Sequence, residues 1–343
     1  MRTMRLEEIV RQKDPELKQA VEQLARGQVG AAIDSLDRQG RVHEVKGHEE
    51  RITAIAREYA KSPESTLVVS PDNLSRTEIN QRIHAELQSR GSVGKEEHRV
   101  QTLVPRQGMT GADRSWAQQY QVDDILRYSR SSRETGIAKG EYTRVKSIDA
   151  QNNQLTVLRA DGSETTYDPR RQMGVSVYRE QEKAFSGGDR IQFTAPNREL
   201  KIANRELGTV EGIASDGTMR LKLDNGRTLD YEPQHHLHLD HGYAVTSHSS
   251  QGQTAERVLI HVDTDLAAKD LLNSRMAYVS VSRGQWDAQI FTDNREKLPQ
   301  ALGHDVSHQS ALKPDIAIAS MQQESVRSQQ PEQELGLGMG FSL

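Results

Sequence analysis

Apolar residues recur at helical spacing from the start of the chain. Leu17, Val21 and Leu24 fall on one helical face, followed by Ile33 and Leu36. Asp14-Pro15 supplies an N-cap and first-turn pair, so helices are predicted over 14–38. A short strand, Arg41–Val45, follows the Gln39-Gly40 turn, and a helix over about 48–61 carries Ile52, Ile55 and Tyr59 on one face. The run TLVVS at 66–70 is apolar and bounded by turn residues, which predicts a buried strand. A further helix carries Ile79, Ile83 and Leu87 and stops at Gly91. Alternation of helix and strand is α/β in character.

The period changes in the middle of the chain. From about 140 to 232, short alternating segments (YTRVKSID, QLTVLR, ETTYD, DRIQFT, LGTVEGI, TMRLKL, RTLDY) are separated by AQNN, ADGS, SDG and DNG. Asp-Gly and Asn-Gly pairs are hairpin signals, so an all-β insertion is expected, built as a small barrel. The α/β pattern resumes near 243, with a strand VLIHVD (258–263), a helix over about 267–283 and a strand AQIFTD (288–293). From about 304 the chain turns polar and is expected to be a disordered tail.

Composition narrows the classes. The 343 residues are enough for two domains or slightly more, and a net charge of −4 neither requires nor excludes a nucleic-acid partner. Aromatics at 4% argue against an extended base-stacking surface of the single-strand-coating kind. The absence of cysteine removes disulfides, thiolate metal sites and cysteine nucleophiles. No signal-like or membrane-length apolar run is present, so a cytoplasmic location without membrane association is expected.

Two segments carry chemistry. GYAVTSHSSQGQTAERVLIHVD (242–263) sets Thr246, Ser247, His248, Ser249, Ser250 and Gln251 in a row of small donors, with Gly252 allowing close backbone approach. Such a row suits phosphate oxygens of a nucleotide or a nucleic-acid backbone. MAYVSVSRG (276–284) ends a helix on Arg283, a position where a guanidinium stabilises charge on a phosphoryl group or is simply solvated. His235, His236, His238 and His241 are spaced like a metal set, but histidines alternating along a strand are read as exposed polar positions, and no metal site is assigned.

Tyr243, Ala244, Thr246, His248, Gln251 and Gly252, then Tyr278, Val279, Ser282 and Arg283, resemble motifs V and VI of superfamily 1 helicases of the RecD-like branch, in order and separation. LEEIVRQKDPELKQAVEQLARG (6–27) resembles the segment after motif III, including motif IV, with Arg11 and Gln12 as the residues carried over. On the residues alone, Arg11 could instead pair with Glu7 or Glu8. LVVSPDNLSRTEINQRIHAEL (67–87) is similar to a strand, loop and helix of the same family bearing Asn73 and Arg76, with Asn80 one turn on. Over about residues 1–300 the combination is similar to the helicase part of the TraI/TrwC-type conjugative relaxase–helicases.

The resemblance implies a second RecA-like domain from 41–100 and 233–303, a helical linker over 1–40 from a first RecA-like domain, an insertion over 101–232, and a tail over 304–343. It implies that Arg11 and Arg283 act on ATP phosphates, with Gln12, Gln251 and Gly252 at the nucleotide. Thr246, Ser247, His248, Asn73 and Arg76 are implied to meet single-stranded DNA. The sequence has no G-x-x-x-x-G-K-[ST] loop: GSVGKEEH (91–98) has the wrong glycine spacing, and GLGMG (336–340) opens no helix. Nor does it have the acidic magnesium motif or the tyrosine and three-histidine relaxase site of the family. ATP and Mg2+ are therefore expected only in an intact two-domain motor, with a P-loop-bearing first domain and a relaxase domain supplied in cis or in trans. The chain is expected to begin after motif III, as a truncated reading frame or an excised piece, and to be inactive alone. A non-catalytic DNA- or partner-binding module, or a remnant of a truncated relaxase gene, is the alternative.

Overall fold

The computed structural model describes residues 11–106, 109–247, 249–265 and 271–304. Asp14 caps the first helix, Pro15–Ala25, by accepting from the Leu17 amide at 2.7 Å, with Pro15 in the first turn. A second helix, Val29–Arg38, follows. Leu17, Ala20, Val21, Leu24, Ile33 and Leu36 are all buried, as the helical spacing demands.

Five strands form a wholly parallel sheet in the order Val42–Glu44, Gly284–Thr292, Ala255–Val262, Thr66–Ser70, Ala244–Thr246. A parallel sheet must be covered on both faces, and the side chains alternate accordingly. Leu67, Val69, Val245, Val258, Ile260 and Ile290 face one apolar cluster shared with the two N-terminal helices and the helices Ser274–Val281 and Leu298–Gly303. Val68, Ala244, Leu259 and Phe291 face a second cluster shared with the helices His48–Tyr59 and Asn73–Ser89. The expected RecA-like α/β layer is therefore present, assembled from both sides of the intervening β segment.

That segment resolves into two antiparallel sheets where a single small barrel is expected. Five strands run in the order Thr228–Tyr231, Met219–Leu223, Leu207–Ile213, Arg190–Phe193, Leu239–His241. Six more run in the order His98–Pro105, Val175–Phe185, Ile125–Tyr128, Tyr142–Asp149, Gln154–Arg159, Glu164–Tyr167. The Val175–Phe185 strand serves both apolar cores: Val175 and Val177 enter one, Phe185 the other. β structure begins at His98 rather than near 140 and continues to His241, past 232. The Val175–Phe185 strand is hidden in sequence by its polar centre, REQEK, which is charged on both faces. Among the described residues no helix is long and apolar enough to cross a membrane. The predicted tail and residues 1–10 lie outside the described residues.

Candidate functional site

Two chain segments cross at the N-terminal end of the Gly284–Thr292 strand. Arg11 Nη1 donates to the Ser282 carbonyl at 3.1 Å, and Gln12 Nε2 donates to the same carbonyl at 3.0 Å and to that of Gly284 at 2.9 Å. The Lys13 amide donates to Gln285 O at 2.8 Å. These bonds zip residues 11–13 along residues 282–285 and bring together three sequence-assigned residues, Arg11, Gln12 and Arg283.

Arg283 is buried and held by carbonyls rather than carboxylates. Its Nε donates to Val279 O at 2.8 Å, and Nη1 donates to Gln253 O at 3.3 Å and Ser250 O at 3.5 Å. Burial and the neighbouring Arg11 charge both push its pKa below the ordinary guanidinium value. Among the described residues no carboxylate stands within ion-pair distance of Arg11 or Arg283. The alternative partners of Arg11, Glu7 and Glu8, lie outside the described residues. Two close guanidiniums without a carboxylate counter-charge form a place where an anion is stabilised.

The loop after Ala244–Thr246 leads to the same arginine. Thr246 Oγ1 is 3.1 Å from Ser249 Oγ, Ser250 N donates to Thr246 O at 2.9 Å, and Ser250 Oγ donates to Ser247 O at 2.8 Å. Gln251 and Gly252 are exposed, and Gly252 sits at φ +87°, a left-handed conformation that favours glycine. Ser250 and Gln253 then give their carbonyls to Arg283. His248 lies outside the described residues. Register pairs Thr246 with Ser70, so the loop bearing exposed Asn73 and the loop bearing Ser247 leave the same edge of the sheet. Asn73 and Thr246 thus share an edge at the carboxyl ends of parallel strands, where open α/β sheets bind ligands.

Arg76 does not join them. It is 5% exposed and its Nη2 donates to Asp240 Oδ2 at 2.9 Å, while Lys183 also pairs with Asp240. The assigned DNA contact of Arg76 is therefore corrected to an internal ion pair. Its helix carries a second, polar stripe at Arg76, Asn80 and His84, all buried. Asn80 Nδ2 donates to His241 O at 3.1 Å and Ala244 O at 3.2 Å, and its Oδ1 accepts from Ala244 N at 2.7 Å. His84 Nδ1 lies 2.7 Å from Asp189 Oδ1, and Tyr243 OH donates to the same oxygen. Burial pushes the Asp189 carboxyl up, but hydrogen bonds and charge from His241 and His84 hold it well below the usual range. His84, Asp189 and His241 could hold a metal ion by their spacing, but the Asp189 oxygens already accept from His84, Tyr243 and the Ser186 amide. The stripe locks the returning chain, 239–244, onto the helix. A hint was present in sequence: Arg76, Asn80 and His84 are spaced by four.

The parallel sheet and the crossing of residues 11–13 with 282–285 define an α/β region whose motif pair resembles that of superfamily 1 helicases. The particular relatives are conjugation proteins, and the chain is homologous to the TraI and TraA group. It is 26% identical over 281 residues to the multifunctional conjugation protein TraI of Escherichia coli, taking in 78% of this chain and 16% of TraI. It is 31% identical over 116 residues to the conjugal transfer protein TraA of Rhizobium radiobacter, taking in 33% of this chain and 10% of TraA. Residues 1–47 match the family described as an AAA domain. Among solved structures, Bacteroides Pif1 bound to single-stranded DNA is similar with a TM-score of 0.43 at 14% identity, covering 94% of this chain and 56% of that one. Pif1 helicase from Candida albicans gives 0.41 at 13% identity, covering 94% and 60%. The chain spans only 16% of the TraI length.

Proposed function

We propose that this chain is the second RecA-like half of an ATP-driven DNA helicase of conjugative transfer. The observation that carries the reading is the pair Arg11 and Arg283, anchored on backbone carbonyls with no carboxylate partner among the described residues. In the two-domain motor, a P-loop-bearing first domain holds ATP and Mg2+, and these two guanidiniums close on the phosphates from the opposite wall. Arg283 then exchanges its long carbonyl contacts at Ser250 and Gln253 for phosphate oxygens. Those carbonyls belong to the loop that follows Thr246, which pairs with Ser70 three residues before Asn73, so the exchange shifts a DNA-facing loop. Asn73, Thr246, Ser247 and His248 meet single-stranded DNA. Gln251 and Gly252 lie between the two sites and transmit closure in one direction and strand engagement in the other. This chain alone does not hold ATP tightly.

The test is DNA-stimulated ATP turnover by this chain alone and mixed with a P-loop-bearing front half, with Arg283→Ala in parallel. Turnover only in the mixture, lost about 10³-fold in Arg283→Ala with DNA binding retained, is expected for a transition-state arginine. Equal loss of DNA binding and turnover refutes the assignment. The absence of a P-loop in the sequence favours one other reading, a DNA- or partner-binding module, and DNA affinity without turnover in either sample would establish it.

A further inference from the structure

Next to the arginine pair the sheet contains an irregularity that displays one large aromatic ring. Along the Ala255–Val262 strand the pairing advances from Ala255 to Arg257, while along its neighbour it advances from Gly284 to Asp287. The Gly284–Thr292 strand therefore holds one extra residue there, a bulge in a parallel pair, where bulges are rare. Bulges re-aim side chains and recur beside active sites. Gly284 is required by the turn, since a Cβ at that position would collide with the Asp287 carbonyl. The Gln285 carbonyl leaves the ladder and accepts from the Lys13 and Asp14 amides at 2.8 and 3.3 Å. Trp286 is pushed out of the sheet and is 49% exposed. The Lys13 ammonium stands over its ring, 5.5 Å from the centroid. The neighbouring acids are committed elsewhere: Asp14 pairs with Arg41 at 3.1 Å, and Asp287 lies 3.6 Å from Arg41 and 3.7 Å from Arg257.

We infer that Trp286, capped by Lys13, is a stacking surface for the base of the nucleotide whose phosphates meet Arg11 and Arg283. The inference rests on the nucleotide reading of the arginine pair and adds a base-binding residue to it. A half-exposed indole with a cation at hand, three residues from a guanidinium with no carboxylate partner among the described residues, matches a ligand that joins an aromatic ring to a polyanion. Stacking tolerates any base, because every base has a π face, so adenine and guanine nucleotides bind alike here. A protein surface would be the other occupant of an exposed tryptophan beside arginines. The Lys13 charge and the absence, among the described residues, of carboxylate partners on Arg11 and Arg283 favour the anionic ligand.

The chain has two tryptophans, so Trp116→Phe leaves Trp286 as the sole indole. Its emission is titrated with ATP, GTP and inorganic tripolyphosphate, and affinities are measured in parallel by calorimetry. Both nucleotides are expected to quench Trp286, and tripolyphosphate is expected to bind without quenching. Trp286→Ala is expected to weaken ATP binding about 5- to 150-fold, the range of base–aromatic stacking, and to leave tripolyphosphate affinity unchanged. Trp286→Phe recovers most of the loss. Equal loss for ATP and tripolyphosphate in Trp286→Ala, or no quenching by millimolar ATP, overturns the inference. So does unchanged ATP affinity with weakened binding of a P-loop-bearing partner, which would make Trp286 a protein contact. Quenching by ATP with no tripolyphosphate binding, unaffected by Arg11→Ala, keeps the stacking role and removes the arginine reading instead.

Discussion

Removing Asp240 tests the claim that a buried charge cluster fixes the returning chain. Asp240 is 2% exposed and is the acid between Arg76 at 5% and Lys183 at 8%. Asp240→Ala leaves two buried cations facing each other. Lys183 escapes most of the penalty, because burial already lowers its pKa against the opposing pull of Asp240 and it can release its proton. Arg76 cannot. Breaking a buried pair from one side costs about 3–5 kcal/mol, and with Lys183 discounted the loss should fall near the lower end, about 3 kcal/mol. With a urea dependence of roughly 3 kcal/mol per molar, the unfolding midpoint falls by about 1 M. The assay is urea unfolding followed by tryptophan emission, with the exposed Glu49→Ala as control. The triple replacement Arg76→Met, Lys183→Met and Asp240→Leu should return most of the loss, since apolar residues of similar volume replace buried ion pairs at little cost. A stability of Asp240→Ala within about 0.5 kcal/mol of the control, a midpoint difference of about 0.2 M, would refute the reasoning. The acid limb has a defined sign. Burial raises the Asp240 carboxyl, but Arg76 and Lys183 hold it below its ordinary value. Its contribution is therefore full above the usual aspartate range and fades as pH falls through the lowered value.

Other consequences follow from single positions. A Cβ at Gly242 would lie 2.6 Å from the Ile191 carbonyl carbon and oxygen, so Gly242→Ala should destabilise by about 1–3 kcal/mol in the same urea assay, as overpacking does. His238 is pushed down to about 4 by burial, with the Arg127 charge adding to it. Because the unfolded chain binds that proton first, stability is lost as pH falls from about 6.5 toward 4, and His238→Gln should lose less between pH 7 and pH 5 than the native chain does. Burial pushes His84 down, but Asp189 and Glu97 raise it above its ordinary value overall. Its contribution is full below about 6.5 and is lost as pH rises through the raised value, so His84→Gln should flatten the alkaline side of the stability profile.

How far the sequence could be read depended on whether a contact was local. The helix at Asp14-Pro15 and the strands at 66–70 and 258–263 were legible because caps and apolar runs act within a few residues. The hairpins from Tyr142 to Tyr231 were legible for the same reason, their turn residues being adjacent in sequence. The strands His98–Pro105 and Val175–Phe185 were not, because they pair with each other across some eighty residues of chain and the centre of the second is the charged run REQEK. Arg76 shows the same limit at a site residue. A loop-and-helix pattern marks it as surface chemistry, and only the folded chain reveals Asp240, distant in sequence by 164 residues, as its partner.

The two arginines make the converse case. Arg11 and Arg283 are separated by nearly the whole described chain, yet motif spacing named both, and the fold brings both to Ser282, Arg11 donating to its carbonyl and Arg283 to its hydroxyl. What motif reading did not reach is how that meeting is enforced. Gln12 spends both amide hydrogens on Ser282 and Gly284, and the bulge turns Gln285 outward to receive Lys13 and Asp14. The crossing is thus held by four backbone carbonyl contacts that survive any change in the arginine side chains. A substitution at Arg283 should therefore remove charge without opening the crossing, whereas Gln12→Ala should loosen it and weaken the contribution of both arginines together. Measured side by side in the two-part turnover assay, Gln12→Ala and Arg11→Ala should be non-additive, because the first already displaces the second. Additive losses would mean that Gln12 and Arg11 act on separate parts of the site.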